Sequence, residues 1–431
     1  MEKRKNKILL DSMVVGFALF SMFFGAGNVV FPPFLGFGSG QQWANGFIFY
    51  FIADIGLAML ALFALIKAGG AENVTGRIGT VASDILMCAI ILCIGPMVAI
   101  PRTAATTYEM SIAPLISGIS PVLFSIFFFI VVLLLSIKQS AVIDIVGKVL
   151  TPALLIGLLV LIIKGAIDPI GPITNMRVSA SYVTKNGIMS GYQTMDVLAA
   201  LAFGVLIIKS ANDKGYTEQK SSSKMIAIAA AISAILLFIV YFGLTYLGAT
   251  AGTVFNRDIG RADLVISIVK WILGDVGLVL FAIVVALACL TTAVALVSSA
   301  ASFFEKLLKG KVSYKLLVVI ICVASTAIAN LGLDKIVSIA APILDIVYPP
   351  TLALVLLSWL GDRVGKLVCG LTAGGALVMS VLTTLSGYIQ GLGFVNKLPL
   401  AELSLGWVVP TAVVCVVAVL IEKLIVKPNK A

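Results

Sequence analysis

Residues 22–33 read MFFGAGNVVFPP, an apolar run interrupted by residues that disturb a helix. Gly25 and Gly27 flank one alanine, Asn28 follows directly, and two prolines end the stretch. A helix that unwinds in lipid leaves costly unpaired backbone groups, so broken backbone is tolerated only inside protein or beside a cavity. Small residues also permit tight helix crossings, but that alternative explains the glycines and not the amide. We therefore predict a helix that unwinds over residues 25–28 and lines a binding cavity.

The composition of the 431-residue chain is that of a polytopic membrane protein. Hydrophobic residues make up 60% and charged residues 12% of the chain, and the mean hydropathy is +1.14. A soluble domain cannot bury so much apolar surface. The absence of histidine excludes histidine metal sites and histidine proton relays. The net charge of +10 is better explained by membrane topology than by nucleic acid, so we expect no nucleic-acid partner.

The hydropathy pattern predicts twelve transmembrane helices of roughly 20 residues each. The predicted segments are 9–35, 44–66, 80–101, 121–138, 141–165, 188–209, 225–247, 276–304, 314–331, 336–359, 366–389 and 405–426. If both termini are cytoplasmic, 21 of the 30 Lys and Arg residues fall on the inner side, as the positive-inside rule requires. The longest predicted connection, 248–275, then lies outside.

Polar residues occur within the apolar runs of segments 6 and 8. Asp196 in segment 6 has Gln193 and Thr194 beside it, and a carboxylate at this depth needs a cavity or a partner. It is either a ligand for an ammonium or cation, or a cap on a neighbouring helix. Thr291 and Thr292 in segment 8 offer hydroxyl oxygens to a hard cation such as Na⁺, unless they bond to carbonyls of their own helix.

Three further charged residues carry weaker signals. Asp54 lies within segment 2 and is a candidate partner or relay. Arg102 and Glu109 follow the predicted end of segment 3, and we interpret them as a surface ion pair. None of these three is therefore included in the predicted site.

The spacing of the two unusual segments predicts an internal repeat. Segments 1 and 6 are five apart, and five is odd, so a second set of five segments has the opposite topology to the first. This arrangement predicts an inverted repeat of residues 1–170 and 171–360, with binding between broken helices 1 and 6. Residues 361–431 then hold two additional helices and a cytoplasmic C-terminus.

Three motifs resemble a known family. The stretches FFGAGNVVFPP, GYQTMD and ACLTTA are similar to the bacterial branched-chain amino acid carriers, the BrnQ-type Leu/Ile/Val:cation symporters, over nearly the whole chain. The resemblance implies the LeuT-type fold in a bacterial inner membrane. It also implies uptake of leucine, isoleucine and valine coupled to a cation, with Na⁺ as the expected ion.

More distantly, the first motif is similar to the unwound first helix of the neurotransmitter:sodium symporters. That likeness implies that the amides of Ala26 and Gly27 bind the substrate carboxylate. Asp196 stands where those relatives have a neutral hydroxyl, and we expect a carboxylate there to pair with the substrate ammonium directly. The implied substrate-binding residues are Phe23, Gly25, Ala26, Gly27, Asn28, Gln193, Thr194 and Asp196. The implied Na⁺ ligands are Ser21, Phe24, Ala288, Thr291 and Thr292.

Other classes of membrane protein fit the sequence less well. A channel needs a repeated ring or filter, and twelve dissimilar segments do not provide one. An enzyme without histidine or paired carboxylates has few catalytic groups, so we expect no enzymatic activity. A proton-coupled carrier of other small neutral amino acids is the alternative to Na⁺-coupled symport.

Overall fold

The computed structural model describes residues 2–116, 118–137, 151–174 and 178–425. Within these ranges the chain is all-α, as predicted, and forms no β-strand. The α-helices are α1 (Glu2–Phe23), α2 (Ala26–Ser39), α3 (Trp43–Phe51), α4 (Leu57–Ala68), α5 (Ala71–Thr75), α6 (Thr80–Leu92), α7 (Ala99–Thr107), α8 (Pro121–Ser136), α9 (Thr151–Ile167), α10 (Ala180–Thr194), α11 (Asp196–Asp213), α12 (Gln219–Ala251), α13 (Arg261–Leu307), α14 (Tyr314–Ala329), α15 (Leu333–Trp359), α16 (Lys366–Ser386) and α17 (Val408–Ile425).

The helices have the length and surface of membrane-spanning elements. Seven helical stretches of the described residues are long and apolar enough to cross a membrane, and three shorter apolar helices accompany them. Large side chains such as Leu123, Phe127 and Leu134 on α8 are more than half exposed, as expected of a helix that faces lipid. The protein is therefore a multi-pass membrane protein. The number of crossings and the inverted repeat stay predictions.

Both helices that were expected to break do so. Between α1 and α2 the backbone at Gly25 is extended (φ −113°, ψ −161°), and Gly25 N–H donates to the carbonyl of Phe23 at 2.8 Å. Between α10 and α11, Met195 takes the left-handed conformation (φ 71°, ψ 14°), which is uncommon for a residue other than glycine. Each break exposes backbone polar groups of a buried helix.

Segments 2 and 3 contain interruptions that the sequence analysis did not predict. A π-helical turn, Ile52–Gly56, joins α3 to α4 and carries Asp54. A second, Cys93–Met97, contains Pro96 and non-helical backbone at Gly95, and separates α6 from α7. Wide turns of this kind are frequent at functional sites because they redirect the side chains that follow.

Several predicted boundaries are wrong. Segment 3 does not end at 101 but continues through α7 to Ile112. Most of the predicted outer connection 248–275 is helical, because α12 ends only at Ala251 and α13 begins at Arg261 and turns at Gly274. Helix α2 continues to Ser39, past the predicted end of segment 1 at residue 35. Residues 141–150 of predicted segment 5 lie outside the described residues.

Helix α2 is held against α12 by an unusually close approach. A Cβ atom placed on Gly36 would lie 1.9 Å from the carbonyl oxygen of Thr245. One placed on Gly248 would lie equally close, 1.9 Å, to the carbonyl oxygen of Pro33. Small residues at such contacts let two backbones touch, so glycine at both positions fixes the second half of the broken helix.

Candidate functional site

The break between α1 and α2 presents backbone groups to a buried space. Ala26 and Gly27 open α2, so their N–H groups have no carbonyl partner within the helix. The Asn28 amide oxygen accepts a hydrogen bond of 3.3 Å from Gly25 N–H, which stabilises the extended turn. The positive end of α2 therefore points into the break, as an anion-binding helix terminus does.

Predicted cation ligands from α1 and α13 meet on one side of the break. The Ser21 and Thr291 hydroxyls are 3.2 Å apart, and the Thr291 hydroxyl lies 2.9 Å from the Ala288 carbonyl oxygen. The Thr292 hydroxyl lies 3.3 Å from the carbonyl oxygen of Ser21 and 3.2 Å from that of Met22. The sequence analysis did not include Met22, whose carbonyl belongs to the same group of oxygens.

Phe24 contributes to this region in a different way from the hydroxyl residues. Its backbone forms the last turn before the break, where its N–H donates to the Phe20 carbonyl at 2.7 Å. Its ring stacks on Phe20 with ring centroids 5.5 Å apart. A Cβ atom on neighbouring Gly25 would lie 2.9 Å from the Thr292 hydroxyl, so the break and the hydroxyl pair are in direct contact.

On the other side of the break, Asn28 joins two buried carboxyl groups. Its amide nitrogen lies 2.9 Å from Asp196 Oδ2, 2.6 Å from the Tyr241 hydroxyl and 3.5 Å from Asp54 Oδ2. The Thr194 hydroxyl donates to Asp54 Oδ1 at 2.8 Å. Asp54 is 0% and Asp196 4% exposed. The sequence analysis missed Tyr241 and did not place Asp54 in the site, although a carboxylate within a predicted span was the signal for it.

The interpretation of Arg102 as a surface residue was wrong. Arg102 is 4% exposed, and its guanidinium donates to the carbonyls of Gln193 (2.7 Å) and Thr194 (3.2 Å) at the end of α10. A cation at a helix C-terminus is favourable because unpaired carbonyls concentrate there. The error arose because segment 3 continues beyond its predicted end, so Arg102 lies within the protein instead of at its edge.

Glu109 is not paired with Arg102 either. Its Oε1 accepts a hydrogen bond of 2.8 Å from the backbone N–H of Leu333, at the start of α15. An acidic side chain at a helix N-terminus stabilises it through the unpaired amides there. The expected surface ion pair is therefore replaced by two separate helix-end contacts.

A narrow cavity lies at the break between α1 and α2 and is lined by residues from both sides of it. Predicted residues that line it are Phe23, Gly25, Ala26, Asn28, Thr194, Asp196 and Thr292. Other lining residues are Met22, Ile94, Ala99, Arg102, Thr103, Met195, Ala199, Phe203 and Leu296. Gly27 and Gln193 do not line it but contact Arg102, which does. The cavity thus combines charged groups with an apolar wall, as small-molecule sites do.

Solved transporters of low sequence identity share this fold. A Na⁺-coupled sialic acid symporter matches with a TM-score of 0.64 at 15% identity, over 97% of this chain and 90% of that one. Mhp1, a nucleobase-cation-symport-1 family transporter, matches with a TM-score of 0.61 at 15% identity, over 96% and 92% of the two chains. An Eremococcus coleocola manganese transporter matches with a TM-score of 0.60 at 14% identity, over 97% of this chain and 94% of that one. The fold is that of the LeuT-type membrane transporters.

The chain belongs to the family described as branched-chain amino acid transport protein, whose model matches residues 8–425. The branched-chain amino acid transport system 2 carrier protein of Pseudomonas aeruginosa is 36% identical over 98% of both chains. The permease BrnQ of Salmonella typhimurium is 32% identical over 96% of both, and the permease BraB of Bacillus subtilis 32% over 97% of both. This confirms the resemblance found in the three motifs, and the family is one of transporters.

Proposed function

We propose that this protein is a Na⁺-coupled symporter that takes up leucine, isoleucine and valine across the bacterial cell membrane. The observation that carries the proposal is a buried carboxylate, Asp196, in the same cavity as the free amides of α2 and an apolar wall. A branched-chain amino acid has an ammonium, a carboxylate and an apolar side chain. The cavity offers a chemically matched group for each of the three.

In the proposed complex the substrate ammonium pairs with Asp196. A buried carboxylate is costly alone but stable opposite a cation, and an ion-pair partner for Asp196 is absent among the described residues. The substrate carboxylate lies at the amides of Ala26 and Gly27, and the side chain contacts apolar residues such as Phe203 and Leu296. The shape of that apolar wall then sets the preference among the three amino acids.

The coupling ion is assigned to the oxygens of Ser21, Ala288, Thr291 and Thr292, with the carbonyl of Phe24. Hydroxyl and carbonyl oxygens at a broken helix are typical Na⁺ ligands in transporters built on discontinuous helices. Because Gly25 contacts Thr292 and also lines the substrate cavity, an ion that orders this turn also orders the substrate site. Such a shared element is a physical basis for coupling between two ligands.

Alternating access in this proposal follows the repeat predicted from sequence. Residues 1–170 and 171–360 form the two inverted halves, residues 361–431 are an addition, and both termini are cytoplasmic. Supporting this division, the two breaks lie one in each half, at Gly25 and at Met195. Transporters with discontinuous helices in corresponding positions of two repeats bind substrate between them.

The test is uptake of labelled leucine into proteoliposomes under separately imposed gradients. We expect accumulation with an inward Na⁺ gradient, none when Na⁺ is replaced by choline, and competition by isoleucine and valine. Preloaded unlabelled leucine should drive counterflow, which a channel does not support. Accumulation driven by a pH gradient in Na⁺-free buffer would instead establish the proton-coupled alternative.

A further inference from the structure

Arg102 is a buried cation without an anionic partner. Its two recorded hydrogen bonds go to neutral carbonyls, and Nε has no hydrogen-bond partner. Among the described residues, no carboxylate lies at ion-pair distance from the guanidinium. Arginine is rarely buried to this extent unless an anion pairs with it, because removing its charge from water is costly.

The guanidinium also lies beside the N-terminus of α2. A Cβ atom placed on Gly27 would be only 2.9 Å from Arg102 Nη2. A helix N-terminus carries a partial positive charge, so a guanidinium next to it is unfavourable by itself. Helix α2 is 14 residues long, and its first amides and the guanidinium are two adjacent positive groups. An anion in contact with both would remove the conflict.

Asp196 lines the same cavity, where its carboxyl group accepts a hydrogen bond from Asn28 and has no ion-pair partner in the described part of the chain. One cavity therefore contains a guanidinium without an anionic partner and a carboxyl group without a cationic partner, and the two are not at ion-pair distance from each other. A zwitterion such as an α-amino acid complements both groups at once. An amine or a carboxylic acid alone would complement only one.

We propose that Arg102 binds the α-carboxylate of the transported amino acid, together with the amides that open α2. This assignment rests on the proposed function and names the residue that makes a free α-carboxylate necessary for binding. Guanidinium groups have five N–H donors, and those not used on the Gln193 and Thr194 carbonyls remain available for a carboxylate. The carboxylate would then connect α7, the end of α10 and the start of α2 through one side chain.

The competing explanation is that Arg102 only caps the end of α10. A capping role stabilises the break whichever ligand is bound, so its loss would weaken all ligands alike. A carboxylate-binding role affects only ligands that carry a carboxylate. Comparing leucine with 3-methylbutylamine, which is leucine without its carboxylate, separates the two roles.

The experiment measures binding of both compounds to purified full-length protein in Na⁺ buffer, by calorimetry and by ligand-induced thermal shift. For Arg102→Gln we expect leucine affinity to fall at least a hundredfold, about 2.7 kcal/mol. The affinity for 3-methylbutylamine should change less than about threefold. The matched control is Arg261→Gln, because Arg261 pairs with Asp334 outside the cavity and should affect neither ligand.

Arg102→Lys provides the second variant if the glutamine protein is unstable. Lysine keeps the charge but loses the planar fork, so leucine should bind roughly tenfold more weakly while the amine is unaffected. Equal losses for both ligands would assign Arg102 to capping, and unchanged leucine binding would remove it from the site. Wild-type protein that does not bind leucine would contradict the proposed function itself, which is a distinguishable result.

Discussion

Replacing Thr291 and Thr292 together by valine tests the proposed Na⁺ site. Valine keeps the shape of threonine but removes the two hydroxyl oxygens that lie against the Ser21 carbonyl, each at 3.3 Å. The remaining oxygens are mainly backbone carbonyls and the hydroxyl of Ser21. The double variant should therefore keep the fold of the break while weakening its affinity for a cation.

The expected size follows from the number of contacts removed. An interaction between a polar oxygen and a charged partner contributes about 1.5–3 kcal/mol, and a tenfold change in affinity is about 1.4 kcal/mol. Loss of two such contacts should raise the Na⁺ concentration for half-maximal leucine uptake at least tenfold. Because the hydroxyls also donate to the Ser21 and Met22 carbonyls, the variant should be less stable even without Na⁺.

The useful quantity is therefore the increase in Tm caused by Na⁺, together with the Na⁺ dependence of uptake, and not the absolute stability. Thr326→Val is the matched control, because its hydroxyl bonds to the Cys322 carbonyl of its own helix at 2.8 Å. An unchanged Na⁺ dependence in a double variant that inserts and binds leucine would refute the assignment. The same shift in Thr326→Val would show that the effect is not specific to this site.

Three further predictions concern the substrate cavity and the packing behind it. For Asp196→Asn, we expect leucine affinity to fall at least a hundredfold, about 2.7 kcal/mol, while 4-methylpentanoate, which lacks the ammonium, binds no worse in a direct binding assay. Gly27→Val should abolish leucine binding in correctly inserted protein, because its side chain would occupy the space of the Arg102 guanidinium, and near-normal binding would support a packing role for the glycine. Gly248→Ala should lower the free energy of unfolding by about 1–3 kcal/mol and so reduce the Tm, because the added Cβ would meet the Pro33 carbonyl. Gly374→Ala should leave the Tm unchanged, because the space around Gly374 is open.

Local sequence predicted the features that depend on neighbouring residues. The apolar runs identified the membrane helices, and the glycines with Asn28 identified the break in the first one, because lipid tolerates such backbone only beside a cavity. Boundaries were less accurate where helices continue past a proline or a π-helical turn. Segment 3, for example, turns near Pro96 and continues past its predicted end at residue 101 to Ile112, which a linear pattern does not reveal.

The sequence by itself determined that the chain is an all-helical membrane protein whose first segment breaks within residues 25–28, and it singled out Asp196 and the two threonines of segment 8. Only the tertiary structure decided that Asp54, Arg102 and Tyr241 belong to the same site. These three residues lie far apart in the chain. A carboxylate within a predicted span was a signal for Asp54, but nothing in the local sequence distinguished Arg102 from an interfacial charge or Tyr241 from an ordinary core residue. Their positions follow from helix packing around the two breaks, since a charged group becomes part of a site only when folding removes it from water and places it opposite another polar group.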